Sequence, residues 1–287
     1  MILKRKIYNE LVEWKNYWNG RTAIMLEGAR RVGKSTIVKQ FAMNEYKSYI
    51  LLDFGKIDSE IIDLFEYNSS NLEQFFLKLQ AITGKHLYER QSIIIFDEIQ
   101  LYPKARQLIK YLVEDGRYDY IETGSLISIY KNIKDILIPS EELSMAMNPL
   151  DFEEFLWAIG NDMLYPYLQQ CFNERKPVGI IHRKAMDLFR QYMLVGGMPQ
   201  AVVEFLESNN FENVDREKRN ILKLYRTDVV KFAERYETKV MSIFDDIPSQ
   251  LSRHEKKFKM SSISKDARLK NYENAFTWLR EAKIINV

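Results

Sequence analysis

The chain has 287 residues, 46% hydrophobic and 29% charged, with a formal net charge of +2. This is the composition of a soluble globular protein long enough for about two domains, and its near-neutral charge drives it onto neither nucleic acid nor membrane. Its one cysteine, Cys171, excludes an internal disulfide. The N-terminus lacks a signal-peptide core and no stretch approaches the ~18 apolar residues of a membrane span, so a cytoplasmic location is expected.

Short apolar runs alternate with helical patterns through the first half, the signature of βαβ units and a parallel sheet. The predicted strands are "TAIMLEG" from Thr22, "SYILLDF" from Ser48, "SIIIFDE" from Ser92, "YDYIETG" from Tyr118 and "ELSMAMN" from Glu142. Between them, "KSTIVKQFAM" stacks Ile37 with Phe41 and Val38 with Ala42, and residues 68–88 read as a further helix. The three histidines, His86, His182 and His254, form no ligand-spaced cluster, so no structural metal is expected.

After the first strand comes "GARRVGKS", with Gly28, Gly33, Lys34 and Ser35 in G-x-x-x-x-G-K-[ST] spacing between a strand and a helix. Glycines let successive backbone N–H groups turn onto phosphate oxygens, and the helix N-terminus adds partial positive charge. The loop from Gly28 through Ala29, Arg30, Arg31, Val32 and Gly33 to Thr36 is the expected phosphate cradle. Lys34 reaches the β- and γ-phosphates and the Ser35 hydroxyl ligates Mg²⁺. Arg30 and Arg31 carry no catalytic role in this reading.

"SIIIFDEIQ" ends an apolar run on two carboxylates. Beside a phosphate loop, Asp97 is placed to hold Mg²⁺ through its water shell and Glu98 to polarise the water that attacks the γ-phosphate. The guanine-reading Asn-Lys-x-Asp motif is absent, so adenine is the default base and ATP with Mg²⁺ the expected ligand. "YIETGSL" puts Thr123, Gly124 and Ser125 at a neighbouring strand tip. Spacing alone leaves two readings open there: γ-phosphate sensing, or an ordinary strand-end turn.

Strands stop after Pro149. "LDFEEFLWAIG" carries a capping box, Asp151 with Glu154, and a staple between Leu150 and Phe155, followed by helical patterns to about Gln250.

The blocks "LEGARRVGKSTIVKQF", "IIIFDEIQLYP", "IETGSL", "NPLDFEEFL" and "MLVGGMPQAV" together resemble the bacterial and archaeal AAA-type ATP-binding proteins, whose P-loop ATPase domain precedes a poorly characterised C-terminal region. The resemblance spans roughly Ile2 to Phe232. It implies sheet order 5-1-4-3-2, makes Thr123 and Ser125 sensor-region residues, and puts Arg5 and Tyr8 on the adenine side. It also implies an arginine from a neighbouring subunit or the lid, with Arg106, Arg117, Arg183, Arg190 and Arg226 all open and a homo-oligomer left open with them.

From Pro248 to Val287 there are nine Lys/Arg and four Asp/Glu, a local charge of 9 − 4 = +5. The pattern of short helix, turn, amphipathic helix with Tyr272, Phe276 and Leu279 on one stripe, then a strand start in "KIINV", resembles a winged helix. It fits duplex DNA or a protein partner equally. The expected organisation is a P-loop domain over 1–148, a helical lid over 149–250 and the start of a winged-helix-like domain over 251–287, with more chain beyond Val287. The functional expectation is an ATPase that drives a conformational switch, acting on or regulating at DNA. The alternative is a nucleotide-gated protein- or DNA-binding module with negligible turnover. A P-loop kinase is disfavoured by Glu98.

Overall fold

The computed structural model describes residues 2–67, 71–124, 140–253 and 257–285. Strands β1 (Ala23–Glu27), β2 (Ser48–Asp53), β3 (Ser92–Asp97), β4 (Asp119–Gly124) and β5 (Glu142–Ala146) form one sheet in the order β2-β3-β4-β1-β5, every pair parallel. That is the expected 5-1-4-3-2 order read from the other edge.

Both faces of the sheet are covered, which is why β3 reads as an unbroken apolar run. Ile93 and Ile95 enter a core with α1 (Ile7–Trp18) and α2 (Lys34–Glu45). Ile94 and Phe96 point the other way, into a core built with α3 (Ser59–Tyr67), α4 (Leu72–Thr83) and α5 (Pro103–Asp115). All four are fully buried, each contributing about 1.5–3 kcal/mol of transfer free energy. Truncating Ile95 to Ala would cost about 2–5 kcal/mol.

The helix expected over 68–88 is shorter at both ends. The Asn71 side chain caps α4 by accepting from the Gln74 amide at 3.2 Å, and Gly84 ends it in a left-handed conformation. Residues 68–70 lie outside the described residues.

The second half is helical: α6 (Phe152–Ala158), α7 (Leu164–Asn173), α8 (His182–Val195), α9 (Pro199–Ser208), α10 (Phe211–Phe232), α11 (Glu237–Leu251) and α12 (Glu273–Glu281). The capping box of α6 forms, Glu154 N donating to Asp151 and Asp151 N to Glu154. Leu150 and Phe155 share a core with Val195, Val202 and Phe205. Helices α10 to α12 do not close a core of their own. Ile221, Val229, Ile243, Ala275 and Leu279 join Ile24, Leu26 and Phe41 over one face of the sheet.

Of the strand start expected in "KIINV", residues 286–287 lie outside the described residues, and Lys283 and Ile284 close a helix instead. Lys283 is left-handed, and the amides of Lys283 and Ile284 donate back to Arg280 and Leu279 at 2.9 and 3.0 Å. This is a Schellman closure. Ile284 and Ile285 then pack on the same core. No described helix is long and apolar enough to cross a membrane.

Candidate functional site

Loop 28–33 joins β1 to α2, and two glycines make its path possible. Gly33 sits at φ 98°, a conformation L side chains rarely adopt. A Cβ on Gly28 would lie 2.3 Å from the Met147 carbonyl oxygen, because Met147 continues the pairing of β5 by donating to Glu27 O at 2.7 Å. Buried Arg5 braces the loop from outside. Its guanidinium donates to Val32 O at 3.0 Å and Asn148 O at 2.5 Å, and pairs with Glu154 at 3.2 Å.

Lys34 lies across the loop, its ammonium donating to Gly28 O and Ala29 O at 3.0 and 3.1 Å. Burial pushes its pKa down, opposed by the negative charges of Glu98 and Asp97.

The strand order brings the C-terminal tips of β1, β4 and β3 side by side. Asp97 Oδ1 accepts from Ser35 Oγ at 2.8 Å and from the Thr123 hydroxyl. Glu98 is left-handed at φ 56°, a strained conformation for a non-glycine residue. Its amide donates to Thr123 Oγ1 at 3.4 Å and its carboxylate accepts from the Gln100 side chain. Six of the expected site residues, Gly28, Gly33, Lys34, Ser35, Asp97 and Thr123, thus surround one point, with Glu98 at its rim. Ser125 lies outside the described residues.

A cleft of about 750 Å³ opens over this point, lined by Arg31, Lys34, Thr36 and Glu98 on one side and by Leu224, Thr227, Asp228 and Lys231 of α10 on the other. Arg30 is half exposed but paired: its guanidinium meets buried Asp228, and its carbonyl accepts from Tyr225 Oη at 2.9 Å. Burial pushes the Asp228 carboxyl up and Arg30 pulls it back, while burial and Asp228 push Tyr225 up to about 12. These α10 residues were not anticipated. The signal was present: Asp228 falls on the apolar stripe Ile221–Tyr225–Val229, and a charge on a buried stripe requires a partner.

The arginines left open by sequence now differ sharply. Arg106 is buried and donates to both carboxylate oxygens of Glu142, at 2.7 and 3.3 Å, with Glu122 at 3.6 Å. It is fixed inside the protein and cannot serve a neighbouring copy. Arg117, Arg190 and Arg226 pair with Asp115, Asp187 and Asp245, and Arg183 is exposed. Arg5 lines a second, smaller cleft next to Gly33. Tyr8 instead donates to Glu45 at 2.7 Å.

Residues 20–156 match the family model of an AAA domain. The chain carries an AAA domain. Beyond it, residues 186–287 match a domain of unknown function. An uncharacterized protein of Methanocaldococcus jannaschii is 22% identical over 208 residues, 70% of this chain and 42% of that protein. The chain thus spans about two fifths of the length of this curated relative. A Walker-type ATPase of Pyrococcus abyssi superposes with a TM-score of 0.57 at 18% identity, over 98% of this chain and 90% of that one. The likeness shows a shared fold, the P-loop sheet of the AAA domain continued by a helical region.

Proposed function

We propose that the AAA domain binds Mg-ATP and hydrolyses it, and that α10 carries the resulting change to the C-terminal helices. One observation supports this most directly: Ser35 and Thr123 both donate to one oxygen of Asp97, beside a buried lysine and below a carboxylate at the cleft rim.

The loop amides after Gly28 and the N-terminus of α2 would receive the β- and γ-phosphates, with Lys34 as a point charge. Incoming negative charge offsets the burial that holds the Lys34 pKa down. Ser35 and Asp97 offer adjacent oxygens, the donor type that Mg²⁺ selects. They are the residues that would hold the ion, which neutralises charge on the phosphates when bound. Glu98 accepts a proton from the attacking water while the water oxygen bonds to the γ-phosphorus and the bond from that phosphorus to the ADP oxygen breaks. The Glu98 amide on Thr123 and the Gln100 side chain on its carboxylate keep that base in place. Lys231, on the α10 wall of the cleft, is a cation within the same space as the phosphates.

The test is binding and turnover of Mg-ATP in three proteins. Lys34→Ala should lose binding. Glu98→Gln should keep binding and lose turnover by about 10²–10⁴-fold, the range of a general base. Turnover unchanged in Glu98→Gln would leave the alternative, a nucleotide-gated binding module with negligible catalysis of its own.

DNA is retained as the proposed partner because Arg253, Lys257, Lys265, Arg268, Lys270 and Arg280 are all exposed, a basic surface of the kind that contacts phosphates. Duplex DNA that leaves both turnover and ATP affinity unchanged at low salt would favour a protein partner. Subunit association is proposed on the same footing, with Arg183, exposed and in no ion pair among the described residues, as the candidate donor, and Arg183→Ala should then lower turnover without lowering nucleotide affinity.

A further inference from the structure

The smaller cleft, about 300 Å³, shares Gly33, Thr36, Pro199 and Gln200 with the phosphate cleft and so continues it. One wall is a stripe of α2: Gly33, Thr36, Ile37 and Gln40 fall at i, i+3, i+4 and i+7. Met147, Pro199 and Val203 supply further apolar lining. A space of this size, mostly apolar with a few polar groups, fits a flat ring system.

The polar lining mixes donors and acceptors, Thr36 and Gln200 beside two carboxylates. Arg5 is occupied by Val32 O, Asn148 O and Glu154. What remains includes the carboxylates of Glu204 and Glu217 and the amide of Gln40. Gln40 Oε1 is shielded from solvent and meets no hydrogen-bond donor among the described residues. A buried acceptor left unmade costs about 1–3 kcal/mol, so it marks a place where a donor belongs. The terminal amide of glutamine turns about a broad torsion, so this oxygen can meet a group in the cleft.

We infer that Gln40 is a specificity-determining residue: its side-chain oxygen accepts a hydrogen bond from the exocyclic 6-amino group of a purine base lying in this cleft. This rests on the ATP reading above and deepens it. A 6-oxo purine has acceptors at both O6 and N7, which a single amide cannot meet at two points, and it would bring its carbonyl into a cleft lined by the carboxylates of Glu204 and Glu217. An amide paired to adenine at two points is a well-formed complement.

The experiment measures displacement of a fluorescent ADP from the full chain by ATP and by inosine triphosphate, which differs at the 6-position and has the same phosphates. Wild type should prefer ATP by about tenfold or more. Gln40→Leu, close in volume and compatible with a helix, should bring that ratio below about threefold while leaving inosine triphosphate affinity within about threefold. Gln40→Glu keeps an acceptor and should retain the preference. Thermal unfolding of each variant checks that it is folded. A wild type with no preference, or a Gln40→Leu variant that keeps it, overturns the inference while leaving the ATP reading intact. Failure of the wild type to bind the fluorescent ADP or either triphosphate overturns the parent reading, and this inference with it.

Discussion

Arg30 and Asp228, 198 residues apart in sequence, form an ion pair that joins the P-loop to the C-terminal part of α10, beside the bond from Tyr225 to the Arg30 carbonyl. The C-terminal helices are therefore attached at the loop where phosphates are proposed to bind. In Asp228→Asn the pair is lost, yet Arg30 is half exposed, so global stability should fall by no more than about 1 kcal/mol. The local effect should be larger: amides of α10 and of residues 28–33 should exchange with solvent faster. Unchanged exchange in both segments would show that the pair carries no linkage.

Gly28→Ala places a methyl where the Met147 carbonyl already stands, 2.3 Å away. That neighbour is backbone, fixed by its bond to Glu27, so β5 must move. A loss of about 1–3 kcal/mol is expected in urea unfolding, together with weaker ATP binding. A variant as stable as wild type would mean that β5 shifts freely.

Thr123→Val keeps the shape of the β4 tip and removes a hydroxyl that donates to Asp97 and accepts from the Glu98 amide. Hydrogen bonds to charged groups are worth about 1.5–3 kcal/mol, so turnover should drop by about tenfold or more. ATP affinity should change less, because Thr123 is proposed to position Glu98 and Asp97 and not to hold the phosphates. An equal loss in both would assign it to ligand binding.

Much of this site was legible because the P-loop spacing and the Asp97–Glu98 pair are local patterns; strands apolar on both faces announced a covered parallel sheet, while its order came only with the family resemblance. The α10 wall was not legible in the same way. Tyr225, Asp228 and Lys231 act through a contact that no local spacing encodes, and only the misplaced charge at Asp228 hinted at it. In "KIINV", an apolar stretch reads by composition as a strand start, and its described residues, Lys283 to Ile285, do not follow that reading. The left-handed Lys283 and the two returning amides decided otherwise, an outcome set by the stop of α12 and the core beneath it.

Fully buried Glu122 lies beside Glu142 and Arg106. Burial, then the charge of Glu142, pushes its carboxyl well above the usual range, with Arg106 opposing. A carboxyl whose folded pKa exceeds its unfolded value near 4.5 binds more protons when folded. Its contribution to stability is present below the unfolded pKa and is lost as pH rises toward the folded one. Melting temperature of the wild type should therefore fall from pH 5 to pH 8 more steeply than that of Glu122→Gln, which mimics the protonated group. Parallel profiles would mean that Glu122 folds ionised.

The core beneath β1 and β3 is filled in part by Ile221, Val229, Ile243 and Leu279. Residues 1–148 produced alone should keep α1 and α2 over this core but lose the side chains of α10 to α12 from it, and this fragment should precipitate or bind apolar dyes. The AAA half and its tail are thus not interchangeable parts. Recombination that grafted a foreign tail onto this sheet would have to bring matching side chains for a surface it had never met. Change in the two halves is tied together, and a substitution on α10 or α12 is at once a substitution in the floor of the AAA domain.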